Sequence, residues 1–255
     1  DIDLNNKEWE PIGKPGGFDM TTYQEIKAAP FTGTFDGQMH TIRGLKIDRT
    51  VSSTAAIGLF GYLEAATIQN LTVYGDVKVT LGDTSWAQYS VGGVVGQTTG
   101  ATLYRVASYV NVNSTNKSSC ASAVGGLVAN GVSVEITECA NLGNVTSNDT
   151  GSHANVGGLT GVTPPTSYRF SCTIKDSFNV GTISGTATIG GIAPLPNGPE
   201  SKKSSIENCY TIGEAFGEMP NSESATITNC FATANTIGAN GVTVKTQAEL
   251  NGSDV

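Results

Sequence analysis

Two carboxylates make the best case for chemistry in this sequence. Glu138 and Asp176 occupy the same position in successive copies of a degenerate repeat. If the copies stack, both carboxylates face outward on adjacent coils, where such a pair could serve as acid and base in glycoside cleavage. Arg105 precedes them at this position and Asn208 follows. We favour a surface ladder of charged and polar groups, because exposed charge pairs are common and contribute little energy.

An aromatic strip is the second candidate. Phe178, Tyr210 and Phe231 share one position in the last three copies of the repeat. If exposed, they form a strip suited to stacking on sugar rings or to contact with a protein. If turned inward, they fill core space beside the small residues Ser177 and Cys209. We favour inward packing, because large and small side chains complement each other in cores.

Histidines and metal motifs offer little chemistry. His40 is expected to pack inward, hydrogen-bonded to the tight turn at Asp36–Gly37, and His153 to lie solvated in a polar loop. The sequence has no His-Glu-x-x-His, Cys-x-x-Cys or calcium-loop spacing, so we expect no metal and no cofactor. Asp1 and Asp3 are interpreted as an acidic terminus rather than calcium ligands. No catalytic residue is assigned.

The five cysteines are interpreted as core residues. Cys139, Cys209 and Cys230 share one inward position, Cys172 lies at another, and Cys120 lies in a loop. In-register neighbours on parallel strands match disulfide geometry poorly, so these thiols are expected to be small core hydrophobes. A nucleophilic cysteine needs an adjacent base, and the sequence places none beside them.

The repeat that positions these residues runs along the chain at intervals from 21 residues (Ile206 to Ile227) to 38 (Ile136 to Ile174). Its anchor is an inward Ile or Leu, namely Ile42, Ile68, Leu103, Ile136, Ile174, Ile206 and Ile227. A second inward position follows three residues later, from Leu45 in the first copy to Cys230 in the last. The residue just before it is predicted to form a corner with positive φ, and is Gly44, Asn70, Arg105, Glu138, Asp176, Asn208 or Asn229.

Such short units cannot bury a face alone, but stacking them in register buries a continuous core. We therefore predict an all-β fold, a right-handed parallel β-helix of about seven coils with three short strands each. The 255 residues form one domain: 1–41 make an N-terminal cap and first coil, 42–224 the repeat coils, and 225–255 a shortened last coil and cap. The 32 glycines and the low charged fraction of 14% agree with strands joined by turns. One short helix is expected at Thr21–Lys27 and a helical turn at Thr246–Leu250.

The charge and hydropathy patterns exclude two classes of partner. The net charge is −8 with no basic cluster, which argues against nucleic acid as a partner. No apolar run approaches the roughly 20 residues that span a bilayer. The chain begins with Asp rather than Met, and we expect it to be a mature or excised part of a larger chain.

The repeat resembles the GLUG-motif repeat family, named for its Gly-Leu-aliphatic-Gly strand. The matching units are Gly58–Gly61 and Gly158–Gly161, with related units at Gly93–Gly96 and Gly126–Ala129. The opening segment 1–13 and the segment 31–42 around Phe-Asp-Gly are also similar to this family. The resemblance implies a bacterial surface or secreted protein, adhesin-like and non-catalytic, and it transfers no catalytic residue.

These observations lead to three hypotheses about function. The first is a non-catalytic extracellular module for adhesion or display, with loops 81–90, 114–123 and 163–171 presented to a host or cell-surface protein or glycan. Trp86 and Tyr89 in the first loop are exposed aromatic candidates. The alternatives are a carbohydrate-active enzyme that uses Glu138 and Asp176, and a glycan-binding module that uses the aromatic strip.

Overall fold

The computed structural model describes residues 1–19, 24–82, 89–116, 122–148, 154–162, 172–186, 188–194, 204–217 and 225–250. Over these residues the chain is a nearly all-β parallel solenoid, which confirms the predicted fold class. Its strands stack into three parallel sheets around one apolar core. An antiparallel hairpin near the N-terminus is the exception.

In chain order the elements are β1 (Ile2–Asp3), β2 (Gly17–Asp19), β3 (Gln24–Ile26), β4 (Thr34–Val51), β5 (Ala55–Ile57), β6 (Phe60–Glu64), β7 (Thr67–Leu81), β8 (Tyr89–Gly92), β9 (Val95–Thr99), β10 (Thr102–Asn116), β11 (Ser122–Gly125), β12 (Val128–Val132), β13 (Glu135–Thr137), β14 (Ala140–Asn141), β15 (Val145–Ser147), β16 (Ala154–Gly157), β17 (Thr160–Val162), β18 (Thr173–Lys175), β19 (Phe178–Asn179), β20 (Ile183–Gly185), β21 (Thr188–Gly190), β22 (Ser204–Glu207), β23 (Tyr210–Glu214), β24 (Ala225–Thr228), β25 (Cys230–Ala234), β26 (Val242–Val244) and α1 (Gln247–Leu250).

The three sheets differ in length along the stack. Sheet A has 15 strands. Its long strands β4, β7 and β10 continue around bends, whereas in later coils the chain is divided at these bends into three short strands. Sheet B runs β21-β16-β11-β8-β5 and sheet C runs β17-β12-β9-β6. The solenoid has about four turns rather than the predicted seven, and among the described residues sheets B and C have five and four strands.

The predicted register is confirmed from the second copy onward and is wrong in the first. Ile68 pairs with Leu103 and, coil by coil, the anchor column continues to Ile227. In the first copy, however, Phe35 lies opposite Ile68 and Ile42 lies opposite Val73. The cause is a tight turn at residues 36–39, where Gln38 and Met39 have positive φ and extra residues enter the strand.

This register shift also overturns the expectation for His40. It lies opposite Leu71 but is exposed, with Nδ1 3.3 Å from the amino nitrogen of Asp1. The histidine therefore contacts the N-terminus instead of packing in the core beside the turn.

The two helix predictions have different outcomes. Residues Gln24–Ile26 of the predicted helix form strand β3, paired antiparallel with Gly17–Asp19, so that prediction is wrong; residues 20–23 lie outside the described part. The backbone of these residues pairs instead across the antiparallel hairpin, in the register Gly17 to Ile26 and Asp19 to Gln24. The turn at Thr246–Leu250 is confirmed as α1, capped by reciprocal bonds between Thr246 and Glu249.

A polar column inside the core was not anticipated from the sequence. Ser108, Asn141, Asn179 and Thr211 lie opposite one another on successive coils, and all four are fully buried. Asn141 Nδ2 donates to Asn179 Oδ1 at 2.7 Å, and Asn179 Nδ2 donates to Thr211 Oγ1 at 3.1 Å. We call this column the asparagine ladder; it joins coils through side chains as the strands join them through backbone.

Candidate functional site

One outward corner of the solenoid carries the two candidate carboxylates. The predicted positive φ at the corner is confirmed in every copy: Gly44 has a φ of 70°, and the six residues from the second copy onward have φ between 50° and 54°, namely Asn70, Arg105, Glu138, Asp176, Asn208 and Asn229. Residues other than Gly, Asn and Asp rarely adopt this conformation. Here it turns each side chain out of the corner, and the column forms an exposed ladder that we call the corner ladder.

Glu138 is held by its neighbours in the corner ladder. Its carboxylate accepts hydrogen bonds from Arg105 Nε at 2.7 Å and from the Tyr104 hydroxyl at 3.1 Å. The bond from Arg105 lowers the pKa of Glu138 below its ordinary value, against smaller opposing effects of desolvation and of Asp176. Asp176, one coil further on, accepts a bond from Asn208 Nδ2 at 2.8 Å.

These contacts show what the corner can do chemically. The structure brings Glu138 and Asp176 to adjacent coils, as the sequence predicted. A general acid for glycoside cleavage needs a raised pKa, but that of Glu138 is lowered by the ion pair with Arg105. Lys175 and Glu207 form a parallel exposed pair, 2.8 Å apart, in the neighbouring column. The corner therefore has the contacts of a surface charge ladder.

The aromatic strip faces outward, which corrects the favoured inward packing. Phe178 pairs with Tyr210 and Tyr210 with Phe231, and all three side chains are half-buried. The inward positions beside them belong to Asn179 and Thr211 of the asparagine ladder. Because successive side chains of a strand point to opposite faces, the residues next to the ladder must point out.

The strip belongs to a wider surface that the sequence analysis missed. A second outward column lies two residues further along the same strands, and consists of Tyr74, Tyr109, Leu142, Val180 and Ile212. Tyr109 is 37% exposed and the others are half-buried. We call the two columns together the apolar face. Its signal was present in the sequence, since Tyr74 follows the anchor Ile68 at the same distance as Tyr109 follows Leu103.

The rings of the apolar face stack along the solenoid axis. Tyr74 and Tyr109 have centroids 4.3 Å apart with planes 10° from parallel, and Phe178 and Tyr210 are 4.8 Å apart at 6°. These separations are close to the spacing of neighbouring strands. Each ring therefore covers one face of its neighbour. Cations cover the ends, where the Arg43 guanidinium lies over Tyr74 and the Lys245 ammonium over Phe231.

The remaining candidates are buried or lie outside the described residues. Tyr89 was expected to be exposed but is 1% exposed, in strand β8 of sheet B. Its loop partner Trp86, like His153 and Cys120, lies outside the described part of the chain. The same holds for residues 83–88, 117–121 and 163–171, which make up most of the three loops proposed for display.

The cysteines that the structure describes agree with the prediction. Cys139, Cys172, Cys209 and Cys230 are buried free thiols. Desolvation raises the pKa of Cys139 and of Cys172 to about 12, which keeps both thiols protonated and unreactive at neutral pH. In the described ranges no three His, Cys, Asp or Glu side chains are grouped so that they could hold a metal ion.

Helices long and apolar enough to cross a membrane are not found in the described part of the chain. No protein-family model and no curated protein matches the sequence. A function for the chain therefore has to rest on its fold and its surfaces.

Proposed function

We propose that this chain is a non-catalytic, extracellular surface module that serves adhesion, and that it binds a protein through its apolar face. The observation that carries the proposal is the apolar face itself, two adjacent outward columns of aromatic and aliphatic side chains on a rigid sheet. Apolar side chains that lie side by side on a surface mark contact sites, whereas scattered single ones are ordinary.

The composition of the face supports a protein partner. Tyr and Phe are enriched where proteins meet, because they bury a large rigid surface at little cost in entropy. On the neighbouring segment of the same sheet the outward positions are polar, as at Lys78, Asn113 and Thr146. The contrast restricts the proposed contact to one side of the solenoid.

A glycan is the second candidate ligand, because the strip Phe178–Tyr210–Phe231 is outward. A sugar ring stacks on the open face of an aromatic ring. In the apolar face, the facing sides of Phe178 and Tyr210 are covered by each other. One face of each of these two rings is therefore closed to a sugar, which favours a broad protein contact over sugar stacking.

The resemblance to GLUG-motif proteins supports a bacterial origin, an extracellular location and a place in a larger surface or secreted chain. A full-length gene that encodes a secretion signal and a wall or lipid anchor is the expected finding. A gene that places the chain in the cytoplasm would contradict the location.

The binding test uses arrays of extracellular proteins and of glycans probed with the purified chain. We expect protein binding that falls at least tenfold in a Tyr210→Ser, Ile212→Ser double variant and is unchanged in an Asn113→Ala, Thr146→Ala control on the polar segment. Equal binding by the face variant would rule out the apolar face, and binding to glycans alone would favour the second candidate.

A carbohydrate-active enzyme is the competing activity, and it is tested separately. The wild type is incubated with a broad panel of polysaccharides, beside a Glu138→Gln, Asp176→Asn double variant. We expect no turnover by either protein. Turnover by the wild type that the double variant loses would establish the corner ladder as an active site.

A further inference from the structure

At the N-terminal end of the solenoid, the described residues place no strand on the outer side of β5 in sheet B, and we call this position the open rung. The N-terminal segment lies over the first coil at Glu8, opposite Lys46, and next at Ile12, opposite Phe60. Between these points the N-terminal segment consists only of the residues from Glu8 to Ile12. The coil beneath it is longer, because it runs from Lys46 to Phe60 through the end of β4 and through β5. Among the described residues, β5 pairs with β8 alone and ends sheet B on this side.

A groove of about 500 Å³ lies over this open rung. Its apolar lining includes Val51, Ala56 and Ile57 from the coil below, with Ile26 and Ala29 from the hairpin side. Its size falls in the range of ordinary ligand pockets. An apolar groove beside an unpaired strand edge can accept both side chains and backbone of an extended chain.

The other coils show what occupies the equivalent position. Over Ile57, the next coils place Val91, Val124, Val156 and Ile189 in one column. Each of these β-branched residues is followed directly by a glycine, at 92, 125, 157 and 190. A chain that continues the stack on the open side therefore needs a β-branched apolar residue and then Gly.

The two cationic side chains that line the groove differ in whether they form ion pairs. Arg49 is held by Glu8 and Glu10, at 3.0 and 2.8 Å. Lys14, which lines the groove close to where Ile12 lies over Phe60, has no ion pair with any described residue. Lys14 is therefore a cation with which a ligand in the groove can pair.

We propose that the open rung is an acceptor site for an extended peptide segment of another protein, which adds to β5 as a parallel strand. The segment carries a β-branched apolar residue followed by Gly and, after it, an acidic group that pairs with Lys14. Backbone hydrogen bonds to β5 supply the affinity, and the groove selects the side chains. This site is separate from the apolar face and does not depend on the proposed function.

The test uses fluorescence anisotropy with a fluorescein-labelled peptide that copies residues 88–93 and ends in Glu. Two further peptides are N-methylated on one or the other alternate set of amides, since only one set of a strand faces its neighbour. We expect saturable binding that one methylated set abolishes and the other retains. No binding of the parent peptide, or equal binding of both methylated peptides, would overturn strand addition.

The ion pair is tested by charge reversal. Lys14→Glu is expected to weaken binding by up to about fivefold, the effect of an exposed ion pair. A peptide that ends in Lys should recover that loss, and Lys7→Glu, outside the groove, should change nothing. Equal affinity of wild type and Lys14→Glu would overturn the role of Lys14. The Tyr210→Ser, Ile212→Ser variant should bind the peptide normally, so failure here and failure of the apolar face are distinguishable.

Discussion

At the scale of single residues, the corner ladder holds charged side chains in a backbone conformation that favours Asn, Asp and Gly. Arg105, Glu138 and Asp176 all have positive φ, and this conformation is costly for Arg and Glu, whereas Asp tolerates it better. Hydrogen bonds within the column offset part of this cost, because each of these side chains is hydrogen-bonded to a neighbour one coil away. The corner ladder therefore has a structural role, and its carboxylates are already hydrogen-bonded to side chains of neighbouring coils.

The first prediction concerns the charge of Glu138. The pKa of its carboxyl, followed by NMR titration, should lie below the ordinary glutamate value, and Arg105→Ala should raise it because the bond from Arg105 is the main cause of the shift. Since the pKa is lowered in the folded state, the stabilisation from this pair is present above the unfolded pKa and is lost as pH falls through the folded one. An unchanged pKa in Arg105→Ala would contradict this origin.

The asparagine ladder makes a second prediction at the residue scale. Asn179→Ala removes bonds to Asn141, to Thr211 and to the Gly181 carbonyl in a fully buried site. We expect a loss of about 1–3 kcal/mol in the free energy of unfolding, measured with urea. The control Asn113→Ala, at an exposed position, should stay within about 0.5 kcal/mol of wild type. Equal losses in the two variants would show that the ladder adds no stability.

At the scale of elements, the Gly-Leu step of the Gly-Leu-aliphatic-Gly motif is not part of a strand but forms the bend between sheets B and C, and this bend packs directly on the asparagine ladder. A Cβ on Gly126 would lie 2.3 Å from Asn141 Cγ, and one on Gly158 would lie 2.4 Å from Asn179 Cγ. The first glycine of the motif therefore provides room for a buried amide side chain. The following Leu127 and Leu159 are fully buried in the core.

The third prediction follows from this contact. Gly126→Ala should lower the free energy of unfolding by about 1–3 kcal/mol, because the added methyl group overlaps Asn141 and a backbone carbonyl of the next coil. Gly33→Ala is the matched control, since a Cβ there meets its nearest atom, on the Phe31 ring, at an ordinary 3.5 Å. Urea unfolding of both variants measures the difference, and a neutral Gly126→Ala would refute the tight packing.

At the scale of the whole molecule, stability follows the stacking. Each coil contacts its neighbours, so strands in the middle of the stack are paired on both sides and terminal strands on one. Strand β10 pairs with β7 on one side and with β13, β14 and β15 on the other. In the described part, β24 and β26 each end sheet A with a single neighbour.

The fourth prediction is a gradient of hydrogen exchange along the stack. Amides of β10 should exchange most slowly, and those of β24 and β26 several-fold faster, because terminal strands open locally without unfolding the middle. Exchange measured by NMR or mass spectrometry checks this order. Uniform rates in all three strands would indicate that the solenoid opens only as one unit.

Particular residues show how much of the fold and of the candidate site the sequence predicts. The recurring Ile and Leu anchors predict the stack, and the corner column is predicted correctly because Asn and Gly recur there. The apolar spacing predicts the wrong register for the first copy, because the turn at 36–39 adds residues that such a pattern does not detect. Side-chain volume favours an inward Phe178, although strict alternation past the corner places it outward.

The sequence by itself determined the parallel solenoid, the inward columns and the buried thiols, because a periodic pattern of apolar residues has one way to bury itself when its copies stack. The tertiary structure alone decided which carboxylate is bound by arginine, how many turns are complete, and that a column of rings and a second column of tyrosines and aliphatic side chains form one outward face. Those features depend on which coils become neighbours and on where each strand bends, and no single copy of the repeat contains that information.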